Sequence, residues 1–283
     1  DGEDGLAMRR RRRLVRLTRS DEFQMPFNTE NTAAGWVGET ESRPATDAAK
    51  VARFSIFARE LYAMPEVTQK LLDDSAFDID AFIRDEVIRA FADLENPSFI
   101  SGNGVSQPKG LLTYDTSTDA DADRALGTTQ YVPTGQSAGF PALSGVPGAA
   151  DADCLVTTVY SLKAEYRAKA VWMMNSTTAG TVRKLKDGDG RHLWVESISE
   201  GQPPMLMGHP VELNEDMPNV GSDTMSIAFG DFSRAYTIVD RQGVRLLRDP
   251  YTNKPYVRFY TTKRVGGGLV DSRAVKLAKF SAS

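Results

Sequence analysis

The sequence predicts an α+β fold, and three observations carry that reading. Residues 78–95, DIDAFIRDEVIRAFADLE, place apolar side chains at helical spacing along their whole length. Beyond Arg191 the pattern changes to short apolar or alternating runs, HLWV, SIAFGDF, AYTIVD, GVRLLRD and YVRFYTTKRVGG, which are strand signals. Helical segments come first and strands later, without regular alternation and without a repeat of fixed period. That order favours α+β over a doubly wound parallel sheet.

The elements follow in chain order. Arg9, Arg10, Arg11, Arg12 and Arg13 form a basic arm just after the acidic DGED. It reads either as a nucleic-acid contact or as a solvated arm that pairs with acidic groups of another chain. No apolar core follows it, so it is not a secretory signal. From Phe23 to Phe27 the residues alternate, with Phe23, Met25 and Phe27 on one face. Pro26 makes this an edge strand or a strand end. A second alternating run, RFSIFARE, sets Phe54, Ile56 and Ala58 on one side. The polar stretch between the two runs is long for a compact domain, yet it holds the apolar Trp36 and Val37. A projecting two-stranded hairpin accounts for all of this, and such a hairpin is marginal alone in water. Trp36, Val37, Phe54 and Ile56 are therefore the candidate contacts with another subunit.

In the helix at 78–95, Ile79, Phe82, Ile83, Val87, Ala90, Phe91 and Leu94 form the predicted apolar stripe, and Asp78 is the expected N-cap. Asp80 with Arg84 and Asp85 with Arg89 are expected pairs on its outer face. Asn96 and Pro97 are expected to stop it. Residues 114–152 read as loops with short strands. A second helix is expected over 154–168, then a buried strand, AVWMM, then a short helix in NSTTAGTVRKLKD.

Composition is that of an ordinary folded protein, with 41% hydrophobic and 25% charged residues. The formal net charge of −4 argues against a whole-protein nucleic-acid binder. No apolar run reaches the roughly 18 residues of a membrane span. The single cysteine, Cys154, excludes an internal disulfide framework and points to a reducing compartment or to a fold that needs no staples.

The stretch FISGNGVSQPKGLL, residues 99–112, tests for chemistry most directly. A phosphate loop needs a glycine-lysine pair opening a helix after a strand. Here the lysine precedes the glycine and the stretch follows a helix. A tight turn at Gly102, Asn103 and Gly104 that tolerates positive φ explains it better. His192 and His209 have no Cys or His at ligand spacing. Cys154 reads as a buried, inert thiol. Asp119, Asp121 and Asp123 alternate as in a calcium loop but lack its glycine and distal glutamate. The residues themselves give no catalytic or metal constellation and no cofactor site.

The order of motifs carries a resemblance. WVGETESRPATD in a long hairpin, a helix, FISGNGVSQPKGLL, a central WMMN, then FGDFSRAYTIVDRQGVRLLRDPYT and KRVGGGLVDSRAVKLAKF follow one another. In this the chain resembles the Hong Kong 97-type major capsid proteins of tailed phages, and is particularly similar to their gene transfer agent branch. The resemblance implies a Hong Kong 97-like capsid fold: residues 1–13 an arm, 14–60 a projecting E-loop hairpin lying over a neighbouring subunit, 61–150 with 243–265 a peripheral domain containing the long spine helix, and 151–242 with 266–283 an axial domain. It implies that the glycine-rich stretch is a structural link without a nucleotide. It also implies a non-enzymatic subunit of hexamers and pentamers in a shell enclosing DNA, assembled in the bacterial cytoplasm, with no membrane, and with a portal and a processing protease as further partners. The absence of an initial methionine agrees with proteolytic removal of a scaffolding segment. Some relatives join subunits through a lysine–asparagine bond. Lys50 and Asn253 are the residues to inspect, with Lys50 read as an ordinary surface lysine. An encapsulin-like nanocompartment enclosing an enzyme cargo, a nucleotide-binding enzyme using residues 102–110, and a DNA-binding protein acting through the arm are the alternatives.

Overall fold

The computed structural model describes residues 8, 13–16, 21–30, 50–74, 78–142, 152–186, 189, 191–192, 194 and 204–282. Its elements run β1 (Arg13–Arg16), β2 (Glu22–Glu30), β3 (Lys50–Phe57), β4 (Arg59–Ala63), β5 (Glu66–Thr68), α1 (Gln69–Asp74), α2 (Ile79–Ser101), β6 (Thr116–Ser117), β7 (Thr129–Pro133), α3 (Asp153–Ser161), α4 (Ala164–Arg167), β8 (Val171–Met174), α5 (Ser176–Arg183), β9 (Met205–Leu206), β10 (His209–Leu213), β11 (Ile227–Gly230), α6 (Phe232–Ala235), β12 (Tyr236–Asp249), β13 (Tyr256–Leu269) and β14 (Val275–Lys279). The strands make three sheets. A seven-stranded sheet has the order β6-β7-β14-β11-β8-β10-β9, and β2 pairs with β3 alone. A five-stranded sheet has the order β1-β12-β13-β4, with β5 also on β13.

The seven-stranded sheet holds the larger core. Every residue of β8 and of β11 is buried, as their continuous apolar sequences require. Trp172 on β8 and Phe229 on β11 stack with centroids 4.4 Å apart, and the Trp172 indole N–H donates to Leu206 O at 3.1 Å. Helix α5 starts where expected: Asn175 is its N-cap and accepts from the Thr178 amide at 2.7 Å.

The five-stranded sheet is built on a long antiparallel ribbon. Strands β12 and β13 have 14 residues each, roughly 45 Å at 3.3 Å per residue. At its lower end the ribbon enters the larger core through Tyr236, Ile238, Val265 and Leu269. At its upper end one face is covered by α2, whose Ile79, Ile83, Val87 and Phe91 pack on Val257 and Phe259. Lys263 and Glu95 form a buried ion pair at 2.8 Å between ribbon and helix. Asp80 meets Arg248 of β12 at 3.6 Å instead of the Arg84 expected from its spacing.

Helix α2 corrects the expected stop at Pro97. Asp78 caps it as predicted, accepting from the Ala81 amide at 3.0 Å, but the helix runs through Pro97 to Ser101. A proline inside a helix costs about 3 kcal/mol. Phe99 and Ile100 beyond it are fully buried in the larger core, and burying two such side chains stabilises by about 1.5–3 kcal/mol each. Tertiary burial wins. The stripe is also narrower than predicted: Phe82, Ala90 and Leu94 face solvent.

Other boundaries shift as well. The helix expected over 154–168 is two, because Leu162 is extended and its side chain is buried. SIAFGDF is a strand only to Gly230, since Asp231 turns to cap α6 through the Ser233 amide at 3.1 Å. Among the described residues, HLWV gives a single bridge between Lys186 and His192. Strands β9 and β10 in MLMGHPVEL were not expected; a turn with Met207 at φ 51° and Gly208 at φ 80° joins them.

Candidate functional site

The hairpin is rooted in the ribbon by a close approach of backbones. Strands β2 and β3 pair Phe23 with Ile56 and Met25 with Phe54, so the expected apolar face exists. At its foot Ala58 N donates to Asp21 O at 2.8 Å. Ile56 and Phe57 lie against the triple glycine of β13. A Cβ on Gly266 would fall 2.5 Å from Phe57 O, and one on Gly268 would fall 3.1 Å from Ile56 Cγ1. On the other side, a Cβ on Gly267 would fall 2.4 Å from the Tyr236 hydroxyl. The GGG of KRVGGGL thus lets the hairpin, β13 and the core meet.

This placement corrects one expected contact. Ile56 is only 3% exposed within its own chain, because the glycines leave room for it, so it does not wait for another subunit. Phe54 is half-buried, while the adjacent Phe57 is exposed. Trp36 and Val37 lie outside the described residues. So do Arg9, Arg10, Arg11 and Arg12. Arg13 opens β1, which runs parallel to β12 with Arg13 beside Thr237, and Met8 just before the arm is fully buried in the larger core.

The glycine-rich stretch is closed on itself. Gly104 has φ 76°, as the turn reading expects. Gly102 does not: its φ is −60°, and glycine is required there because a Cβ would sit 2.1 Å from Pro108 O. The amides of Val105, Ser106 and Gln107 all donate to Asn103 Oδ1 at 3.0, 3.2 and 3.3 Å. The Lys109 ammonium lies 4.1 Å from the centroid of Tyr114. The Tyr236 hydroxyl donates to Lys109 O at 2.8 Å, and burial pushes that phenol well above its ordinary pKa. Amides that would cradle a phosphate already serve an internal acceptor.

The remaining chemistry candidates are similarly engaged. Asp121 accepts from Lys276 Nζ at 2.5 Å and pairs with Arg124 at 2.7 Å, both cations being buried. Two protein cations stand where the alternating aspartates suggested a metal, and burial lowers the Lys276 pKa. Among the described residues no group of three or more His, Cys, Asp or Glu could hold a metal ion. His209 packs edge-on to Phe229 at 5.0 Å, and burial lowers its pKa. It lines a cavity of about 520 Å³ with Arg167, Lys169, Asp231 and Ser233. Within it, Asp231 is committed to Ser233, whose hydroxyl donates to it at 2.5 Å. Cys154 is buried. Asn253 donates to Glu66 at 2.9 Å on the exposed end of the ribbon, and Lys50 opens β3.

What stands open is a face. Strand β13 alternates so that Val257, Phe259, Thr261, Lys263 and Val265 are buried under α2 and the core. Arg258, Tyr260, Thr262 and Arg264 point the other way. Across the ladders the same outer face carries Arg245 and Leu247 of β12 and Glu60 and Tyr62 of β4. Leu247 is 61% and Tyr62 68% exposed. The alternation of YVRFYTTKR marks a strand with two faces in the sequence.

With that geometry in view, the chain belongs to the phage capsid family, whose pattern it matches over residues 3–280. Among solved structures it is similar to the capsid of an empty GTA particle, computed with C5 symmetry. The two share 43% identity and a TM-score of 0.87, over 98% of this chain and 90% of that one. The capsid of the native GTA particle matches at 42% identity and TM-score 0.89, over 99% and 91% of the two chains. A Mycobacterium phage Bobi structure, at 17% identity and TM-score 0.67 over 98% and 91%, shares the fold. No curated protein sequence matches. The α+β reading and the resemblance to tailed-phage and gene transfer agent capsid proteins both hold.

Proposed function

We propose that this chain is a major capsid protein whose copies build a closed shell of hexamers and pentamers around DNA, in a phage or gene transfer agent particle. The observation that carries the reading is the sheet covered on one face only among the described residues, with a hairpin rooted at its edge, in a chain of the phage capsid family. Other copies can cover that open face. The role is structural. Residues 14–60 act as the E-loop, 61–150 with 243–265 as the peripheral domain, and 151–242 with 266–283 as the axial domain. A portal and a processing protease are the expected partners, with assembly in the bacterial cytoplasm.

Electron microscopy of the purified protein tests this reading. Closed shells that protect DNA from nuclease support it, and a monodisperse small particle overturns it. Shells holding an enzyme in place of DNA would favour a nanocompartment. Deleting residues 32–46 of the hairpin should leave a soluble chain that forms no shells; shells at normal yield would remove the hairpin as an assembly element.

A further inference from the structure

The open face of the ribbon contains a notch of about 300 Å³ beside the irregular register of β12, lined by Glu60, Arg241, Arg245, Tyr260, Thr262 and Arg264. Its charges do not balance. Asp21 pairs with both Arg241 and Arg264, and Glu60 pairs with Arg264 at 3.0 Å. Two carboxylates thus serve two of the three guanidiniums, and the third, Arg245, has no ion-pair partner among the described residues. The neighbouring Lys263 does not alter the sum, since its ammonium is engaged by Glu95 on the opposite face. A second observation concerns Arg241. Its Nε is buried and has no hydrogen-bond partner among the described residues, although its Nη1 reaches Asp21. A buried donor left so is destabilising unless an acceptor arrives.

We propose that this notch receives a carboxylate side chain from a second copy of the chain, held by Arg245 and closed over by Tyr260. The chemistry selects an anion with two acceptor oxygens, because guanidinium forks bind such groups bidentately. Charge complementarity selects the source. The chain carries 38 Asp and Glu against 34 Lys and Arg, so an approaching copy presents surplus carboxylate. The apolar flanks, Leu247 and Tyr62, would exclude water around the pair and strengthen it. The inference rests on the shell reading, and it names one polar contact on the open face.

The test is Arg245→Glu in the full-length chain, with wild-type shells as the control. Arg245 is exposed, so the variant subunit should fold with an unchanged circular dichroism spectrum. Removing one partner of a desolvated charge pair weakens association, so the concentration needed for assembly should rise by about tenfold or more. Arg245→Lys should recover part of the loss. Normal shells with normal DNA overturn the proposal, and normal shells with reduced DNA overturn it in favour of a cargo phosphate. If Arg245→Glu does not fold, Arg245→Gln replaces it. Its assembly threshold should then be raised and less sensitive to salt than that of the wild type, and an unchanged threshold overturns the proposal. Failure of the wild type itself to form shells would instead refute the shell reading.

Discussion

The two large sheets of this molecule meet in one core but are finished to different degrees. The seven-stranded sheet is closed within the chain: Trp172, Met173, Met174, Ile227, Ala228 and Phe229 at its centre are inaccessible to solvent. The ribbon sheet is closed on one face by α2 and left open on the other, where Arg245, Leu247, Tyr260 and Tyr62 stand in water. Such a difference separates residues that hold the subunit together from residues that only an assembly can use. Substitutions in the first sheet should therefore be felt by the isolated subunit, and those on the open face only when copies meet.

The largest effect is expected at the centre of the closed sheet. Trp172→Ala removes the ring that stacks on Phe229 and the indole donor to Leu206, and should destabilise the subunit by about 3–5 kcal/mol. Urea unfolding of unassembled protein measures it. A loss under about 1 kcal/mol would mean that this sheet is not the stabilising core.

The junction between ribbon and helix comes next. Lys263→Met leaves the fully buried Glu95 carboxylate without its cation and should cost about 3 kcal/mol. The double variant Lys263→Met with Glu95→Leu should regain most of that, since an apolar pair of similar volume can replace a buried ion pair. A double variant as unstable as the single one would show that the pair does more than neutralise itself.

This junction was partly legible in the sequence. The N-cap Asp78 and the four-residue spacing of Ile79, Ile83, Val87 and Phe91 are local signals, so the helix start and its buried stripe could be read directly. The passage through Pro97 could not, because Phe99 and Ile100 are held by residues far away in sequence. Strands β9 and β10 were hidden by a proline and a glycine in MLMGHPVEL, where the glycine serves the turn and Pro210 sits inside the short β10. The open face was hidden for another reason. Alternation in YVRFYTTKR says that a strand has two faces, but it does not say that no described residue covers the second.

A smaller effect separates backbone from charge in the glycine-rich link. Gly104→Val forces a β-branched residue to φ 76° and sets its Cβ 3.1 Å from Lys109 Cβ, which should cost about 1–3 kcal/mol. Lys109→Ala loses the contact with Tyr114, worth about 0.5–1 kcal/mol, and should leave the DNA content of particles unchanged. The reverse ranking, with Lys109 critical and Gly104 tolerant, would reopen the nucleotide reading.

The smallest effect on the subunit is expected on the open face, and there the comparison is sharpest. Tyr62→Ser with Leu247→Ser removes two exposed apolar side chains from the strands on either side of β13. Surface substitutions of this kind change subunit stability by no more than about 0.5 kcal/mol. If copies cover this face, the same pair loses apolar burial at every repeat of the contact, roughly 25 cal/mol per Å². Shell yield should then fall while the unfolding curve of the unassembled protein stays in place. An unfolding midpoint that moves as far as it does for Trp172→Ala would show that the open face belongs to the subunit's own core, and normal shells from a normally stable variant would show that copies meet elsewhere.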